Sequence, residues 1–231
     1  MGIGTLGERS LHAMLKNWAE PDEQFHEQKV GPYVADIRNE SGIIEIQTGS
    51  FTKLQKRLDY YLFQEKLPVR VIYPVPKLKW LVWLDPETGE ATKRRKSPKQ
   101  WEPISLLPEL CHILDALESD LLSFTVVLME LEEHRSLCGW SADRKRGSRR
   151  AERYPLNLLG QVDLNCRADF LKLLPPDLPD PFTAKEFGKA ARMSPRATGR
   201  ALAPLRRMDL VRQCGKRKNA YLYTLDHPDG R

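Results

Sequence analysis

Two short apolar runs joined by a turn constrain this chain more than any other feature. They read Tyr33-Val34-Ala35-Asp36-Ile37, then Asn39-Glu40-Ser41-Gly42, then Ile43-Ile44-Glu45-Ile46-Gln47-Thr48. Asn and Gly supply a turn between β-forming residues, so a hairpin is expected. Side chains alternate faces along a strand, which puts Glu45 and Gln47 on one face and Ile44 and Ile46 on the other. Pairing of the strands brings the Asp36 carboxylate towards Glu45. Two carboxylates side by side resist double ionisation and invite a hard divalent cation. The alternative is two ordinary polar residues on a half-solvated hairpin. Against it, Glu45 sits in an isoleucine-rich run, where a buried acid needs a partner.

The flanking segments extend this reading. Leu11, Met14, Leu15 and Trp18 recur at helical spacing and predict an amphipathic helix opening near Glu8. Phe51, Leu54, Leu58, Tyr61 and Leu62 predict a second helix after the hairpin. Val69-Arg70-Val71-Ile72-Tyr73-Pro74 reads as a buried strand closed by proline, and Lys79 to Leu84 as another, ended by the Asp85 to Gly89 turn. Phe25 to Val30 is a weak candidate for one more strand ahead of the hairpin.

This pattern resembles the PD-(D/E)XK nuclease superfamily, whose signature is an Asp on one strand and Glu-x-Lys on the next. Here Asp36 is followed by Glu45-Ile46-Gln47, with Gln in the place of Lys. The resemblance covers about Glu8 to Leu84. It implies a restriction-endonuclease-like mixed sheet, an α/β (α+β) fold. It also implies Mg²⁺ (or Mn²⁺) held by Asp36, Glu45 and the Ile46 carbonyl. Glu8 matches the first-helix Glu of many members; its other reading is a first-turn acid complementing the helix dipole. Some restriction enzymes of the superfamily carry Gln where Gln47 stands. Gln47 can orient a water but cannot act as a base near neutral pH. It also removes a cation that would stabilise the reacting phosphate.

The carboxy-terminal part differs in charge. The whole chain carries +6, yet Thr183 to Leu222 alone holds eleven Lys and Arg against Glu186 and Asp209, a net +9. The remainder is therefore slightly acidic, and a polyanion partner is expected for the basic end. Four prolines between Pro175 and Pro181 cannot continue a helix or central strand. They divide residues 1–174 from 181–226. Thr183 with Glu186 forms a capping box, and Ser194 and Pro195 start a second helix, which Pro204 should kink or shorten. Leu210 to Cys214 and Ala220 to Thr224 read as paired strands around a basic turn at Gly215 to Asn219. This order resembles a winged helix-turn-helix. The resemblance implies groove or phosphate contacts from Arg196, Arg200 and Arg206, and wing contacts from Lys216, Arg217 and Lys218.

Leu106 to Leu117 reads as a helix and Leu122 to Leu131 as a buried strand. The runs Lys93 to Lys96 and Arg144 to Arg150 are solvated loops or phosphate guides. Cys111, Cys138, Cys166 and Cys214 are widely spaced with no CxxC pair, so neither a zinc site nor a disulfide framework is indicated. No run reaches transmembrane length, and the amino terminus lacks a basic start with an apolar core. A cytoplasmic protein with no membrane partner is expected. The combined expectation is a metal-dependent endonuclease acting on DNA, alone or as a homodimer, targeted by a winged helix. The alternatives are an inactive nuclease-like regulator and a protein-binding adaptor.

Overall fold

A computed structural model describes residues 7–85, 87–136 and 149–226, with the side chains of 7–10 and 149–152 outside that description. Cys138 and residues 144–148 of the second basic run lie outside the described residues, as does the side chain of Glu8.

The chain begins with α1 (Gly7–Ala19) and continues through β1 (His26–Val30), β2 (Tyr33–Asn39) and β3 (Gly42–Ile46). A 3₁₀ turn at Phe51–Lys53, α2 (Gln55–Asp59) and a π turn at Tyr60–Gln64 then lead into β4 (Val69–Leu84). The weakly patterned Phe25 to Val30 segment therefore does supply a strand. β5 (Arg95–Lys96), α3 (Leu107–Leu110), β6 (Leu122–Ser136) and β7 (Arg149–Leu164) complete this part.

Among the described residues these seven strands form one mixed sheet in the order β1-β2-β3-β4-β6-β7, with β5 on β4. β1 with β2 and β2 with β3 pair antiparallel, whereas β3 with β4 and β4 with β6 pair parallel. β7 returns antiparallel to β6. The fold class is α+β. A parallel β3–β4 pair needs a crossover, and Phe51 to Gln64 provides it.

Each face of the sheet has its own apolar cover. Leu11 and Leu15 of α1 pack with Ile37, Ile46, Ile72 and Met129 on one face. Phe51, Leu54, Leu58, Tyr61 and Leu62 pack with Ile43, Val69 and Val71 on the other. The second helical stripe is buried as its spacing predicts. The first is only half right: Met14 is part-buried and Trp18 is exposed.

β4 corrects the reading of two strands split by proline. It runs unbroken through Pro74 and Pro76, with a register shift between Pro76 and Leu78. β3 leaves β4 at Ile46–Ile72, so at both prolines β4 is paired with β6 only. A proline lacking its N–H is tolerated on such a one-sided stretch. The expected Leu106 to Leu117 helix is broken into short pieces, with α3 between 3₁₀ turns at Pro103–Leu106 and Ala116–Glu118.

After a 3₁₀ segment at Arg167–Leu173, β8 (Phe182–Thr183) precedes α4 (Ala184–Ala190), α5 (Pro195–Arg207), β9 (Val211–Arg217) and β10 (Ala220–Leu225). The three strands form a second sheet ordered β8-β10-β9. Thr183 and Glu186 make the reciprocal capping box, and Ser194 caps α5 through the Ala197 N–H. α5 is not shortened by Pro204, which is buried within it. Gly215 to Arg217 belong to β9, and the turn itself is Lys218-Asn219. Phe182, Phe187, Leu202 and Leu205 share a continuous apolar cluster with Leu107, Leu110 and Val71. The basic end is therefore packed on the sheet through α3 and α5.

Candidate functional site

The two carboxylates meet where β2 departs from regular pairing. Ala35, Asp36 and Ile37 are all buried, so the in–out alternation fails there. The β1 ladder pairs Ile37 with His26 and Ala35 with Gln28 but omits Asp36 opposite Glu27, whose φ is 50°. The β3 ladder reaches Ile37–Ile44 and stops. Beyond it the Asp36 side chain takes the place of a backbone acceptor: its Oδ2 receives the Ile46 N–H at 2.7 Å. An interrupted ladder with a carboxylate in the gap fixes Asp36 against the strand that carries Glu45.

Asp36 and Glu45 also reach opposite layers. Asp36 Oδ2 lies 3.3 Å from His12 Nε2 on α1. Glu45 is 0 % exposed and pairs through Oε2 with the Arg57 guanidinium of α2. Arg57 Nη1 also donates to the Val34 carbonyl at 3.4 Å. The Tyr61 ring is buried on the same side, and its hydroxyl influences Glu45. Neither Tyr61 Oη nor Glu45 Oε1 has a hydrogen-bond partner among the described residues.

These surroundings drive the two acids apart. Burial, and then the nearby Asp36 charge, push Glu45 up to about 8 despite Arg57. Burial also works against the Asp36 charge, but the His12 and Ile46 hydrogen bonds outweigh it and hold Asp36 below its ordinary value. The result is one firmly ionised carboxylate beside one that favours its proton. The Tyr61 hydroxyl lies close enough to Glu45 to work against that rise, so the buried acid has a donor beside it as well as the Arg57 cation. A divalent cation would favour the doubly ionised pair, and Asp36, Glu45 and the Ile46 carbonyl are oxygen donors of the kind a hard cation takes. Among the described residues no three His, Cys, Asp or Glu side chains converge as a metal cluster.

Gln47 is part-buried at the end of β3, and its Nε2 donates to the Ser50 carbonyl at 2.7 Å. That bond leaves the amide oxygen as the atom able to face a water. Glu8 lies in the first turn of α1, its side chain outside the described residues. Arg57 is the residue that sequence pattern misses, since its spacing marks it only as lying off the apolar stripe. Its signal is the absent Lys at position 47, which leaves the paired acids in want of a cation.

The basic residues at the other end divide. Arg196 and Arg206 are exposed, as are Lys216 and Lys218. Arg200 is turned inward: its Nε lies 3.1 Å from Cys111 Sγ and its Nη2 meets His112 Nε2. Arg207 pairs with Asp115 and Glu118 at 3.2 and 2.8 Å. Arg217 pairs with Glu186 at 2.8 Å, and Lys216 stands 5.0 Å from the Tyr221 ring centroid. Part-buried Arg200 is thus engaged by the α3 region, and Arg207 by exposed ion pairs beside it. In the first basic run, Arg94 lies 4.1 Å from the Trp80 ring centroid and pairs with Glu130 and Glu132. No helix among the described residues is long and apolar enough to cross a membrane.

A family model described as Domain of unknown function (DUF8091) matches residues 9–165, from α1 to the end of β7, and the chain belongs to that family. It is also similar to an uncharacterized protein of Treponema pallidum (strain Nichols), 25% identical over 233 residues. That alignment covers 99% of this chain and 89% of the relative, so it takes in the basic end as well. No solved structure matches the chain.

Proposed function

We propose that this protein is a metal-dependent nuclease acting on DNA, with its centre at Asp36 and Glu45. The observation that carries the reading is the buried acid pair in the β2–β3 gap, with Asp36 held on the Ile46 N–H. The element order α1-β1-β2-β3-α2-β4, with β4 parallel to β3, also agrees with the PD-(D/E)XK resemblance. Asp36, Glu45 and the Ile46 carbonyl would hold Mg²⁺ or Mn²⁺. Bound there, such an ion lowers the pKa of a water and polarises a phosphate.

The chain's own groups supply the rest. Asp36 stays ionised and orients its neighbours. The Gln47 amide oxygen accepts a hydrogen bond from the attacking water and so aims its lone pair. Arg57 would meet a phosphate oxygen and so replace the positive charge that Gln47 lacks. The exposed cations Arg196, Arg206, Lys216 and Lys218 add sequence-independent affinity for the backbone.

Cleavage of linear, nicked, branched and single-stranded DNA, with and without Mg²⁺ or Mn²⁺, tests this. Asp36→Ala and Glu45→Ala each abolish metal-dependent cleavage while DNA affinity persists. Full activity in the purified double variant ends the nuclease assignment.

One observation favours a second reading. Arg57 already gives Glu45 a charge partner, and the Gln47 donor is spent on Ser50. A nuclease fold that binds DNA without cutting it would show this pattern. No metal-dependent heat in calorimetry and no cleavage by the wild type would select it.

A further inference from the structure

A cleft of about 1050 Å³ lies between the sheet and the basic end. Tyr73, Lys99, Trp101 and Glu109 line it from one side, Arg192 and Arg196 from the other. We propose that this cleft binds nucleoside phosphates, and that it receives the single-stranded part of the substrate. The second half rests on the nuclease reading; the first does not.

The chemistry of the walls points to a ligand with two characters. Lys99 Nζ stands 4.0 Å from the Trp101 ring centroid, which places an ammonium and an indole together. Arg192 and Arg196 are exposed and make no ion pair among the described residues. The thirteen-residue helix α5 also opens on the cleft, at Ser194 and Arg196. Pro195 has no N–H, and the Ala197 N–H is taken by Ser194 Oγ, so the Arg196 N–H is left for a ligand. These groups call for anionic oxygens.

The same walls hold two buried atoms without a partner among the described residues, Trp101 Nε1 and Glu109 Oε2. The first asks for an acceptor and the second for a donor. A bare anion would suit the cations but meet repulsion from Glu109. A nucleotide carries phosphate oxygens for the cations, a base with amino donors for Glu109, and a flat ring suited to indole. The volume lies just above the range of pockets that enclose small ligands, about 300–1,000 Å³. It holds a few unpaired nucleotides rather than a duplex.

Two further observations favour a strand. A helix that reads duplex DNA inserts a bare face into the major groove. Two of the arginines of α5 are already engaged, Arg200 by Cys111 and His112 and Arg207 by Asp115 and Glu118. The wall at Tyr73 also abuts the candidate centre: Tyr73 meets Phe51 edge-on with ring centroids 5.5 Å apart, and Phe51 directly follows the Gln47 to Ser50 loop.

The test uses the full chain carrying Asp36→Ala, in the absence of metal, so that cleavage does not interfere. Its ligands are a fluorescent oligodeoxyadenylate, whose bases carry the amino donor, the same strand in a duplex with oligothymidylate, and free adenosine monophosphate and ATP. The expected result is that the single strand binds more tightly than duplex or free nucleotide. Arg192→Ala with Arg196→Ala, both surface changes, should leave the melting temperature in place. They should weaken strand binding at least tenfold and lower its salt slope by about 1.4, at ~0.7 for each phosphate no longer neutralised. Trp101→Phe, which keeps an aromatic ring and removes Nε1, should weaken binding less. Free nucleotide binding as tightly as the strand, and abolished in the double variant, supports the site and overturns the strand assignment. Binding that the double variant leaves unchanged, or that requires duplex, overturns the proposal. Strand binding in this variant, together with a wild-type protein that cleaves with no metal, keeps the cleft and removes only the nuclease reading.

Discussion

The acid pair and the basic end use charge in opposite ways. At Asp36 and Glu45 the charges are inside, held by a backbone N–H, a histidine and an arginine from two helices on opposite faces of the sheet. At the basic end the sequence places them outside, facing a polyanion. Instead one helix splits them: Arg196 and Arg206 face solvent, while Arg200 and Arg207 turn towards the α3 region. A local net charge therefore overstates how many cations are on offer to a partner. The charge on offer to a DNA backbone falls from the full +9 to the subset of cations that has no internal use.

The packing between the two parts should give the largest effect. Leu205 of α5 is fully buried in the cluster that holds Leu107 and Leu110. If the basic end is part of the sheet's core, Leu205→Ala should cost about 2–5 kcal/mol, as deletion of a buried leucine does. Sheet and basic end should still melt together in one transition, followed by denaturant titration with far-ultraviolet circular dichroism. A variant in which the basic end melts first and the sheet keeps wild-type stability would break this picture and make the two parts independent.

What could be read from residues alone follows the same division. The hairpin, the acid pair and the Phe51 to Leu62 stripe involve neighbours within a few turns or one strand pairing, and local pattern encodes such contacts. The caps at Thr183 and Ser194 were legible for the same reason. The continuity of β4 through Pro74 and Pro76 was not, because it depends on which flank is unpaired, and β6 joins from about fifty residues away along the chain. Nor could the inward turn of Arg200 be seen, since His112 is 88 residues distant. Arg57 is intermediate. Its helix was predicted, but its role depends on how the β3–β4 crossover packs over Glu45.

The acid pair makes its own pH signature. Glu45 binds its proton more tightly folded than unfolded, with the folded value raised to about 8 from an ordinary 4.5. The folded state therefore holds the extra proton between those values. Without metal, this group's contribution to stability should fall as pH rises from about 4.5 to about 8, by a few kcal/mol at most. Asp36 acts in the opposite sense and at lower pH, because its folded value is depressed: its contribution disappears as pH falls. Glu45→Gln should remove the decline near neutrality. In the wild type, added Mg²⁺ should stabilise more at pH 8 than at pH 6, because it favours the ionised pair. Urea melts across this range check both. A wild-type profile identical to that of Glu45→Gln would mean that Arg57 alone keeps Glu45 ionised.

Two arginines of α5 give the smallest and sharpest test of inward against outward charge. Arg200 bonds Cys111 and His112, and its removal leaves those groups facing a gap. Arg200→Ala should lower stability by about 1 kcal/mol, the usual net worth of such hydrogen bonds. It should leave the salt dependence of DNA binding unchanged. Arg206 is exposed, so Arg206→Ala should move stability by less than about 0.5 kcal/mol. If Arg206 meets a duplex phosphate, its removal should lower the salt slope by about 0.9. The pair is measured as one experiment, with melts and salt titrations on both variants. The opposite assignment, a stable Arg200→Ala protein with a flattened salt slope, would mean that α5 releases its contacts at α3 and presents that face to DNA.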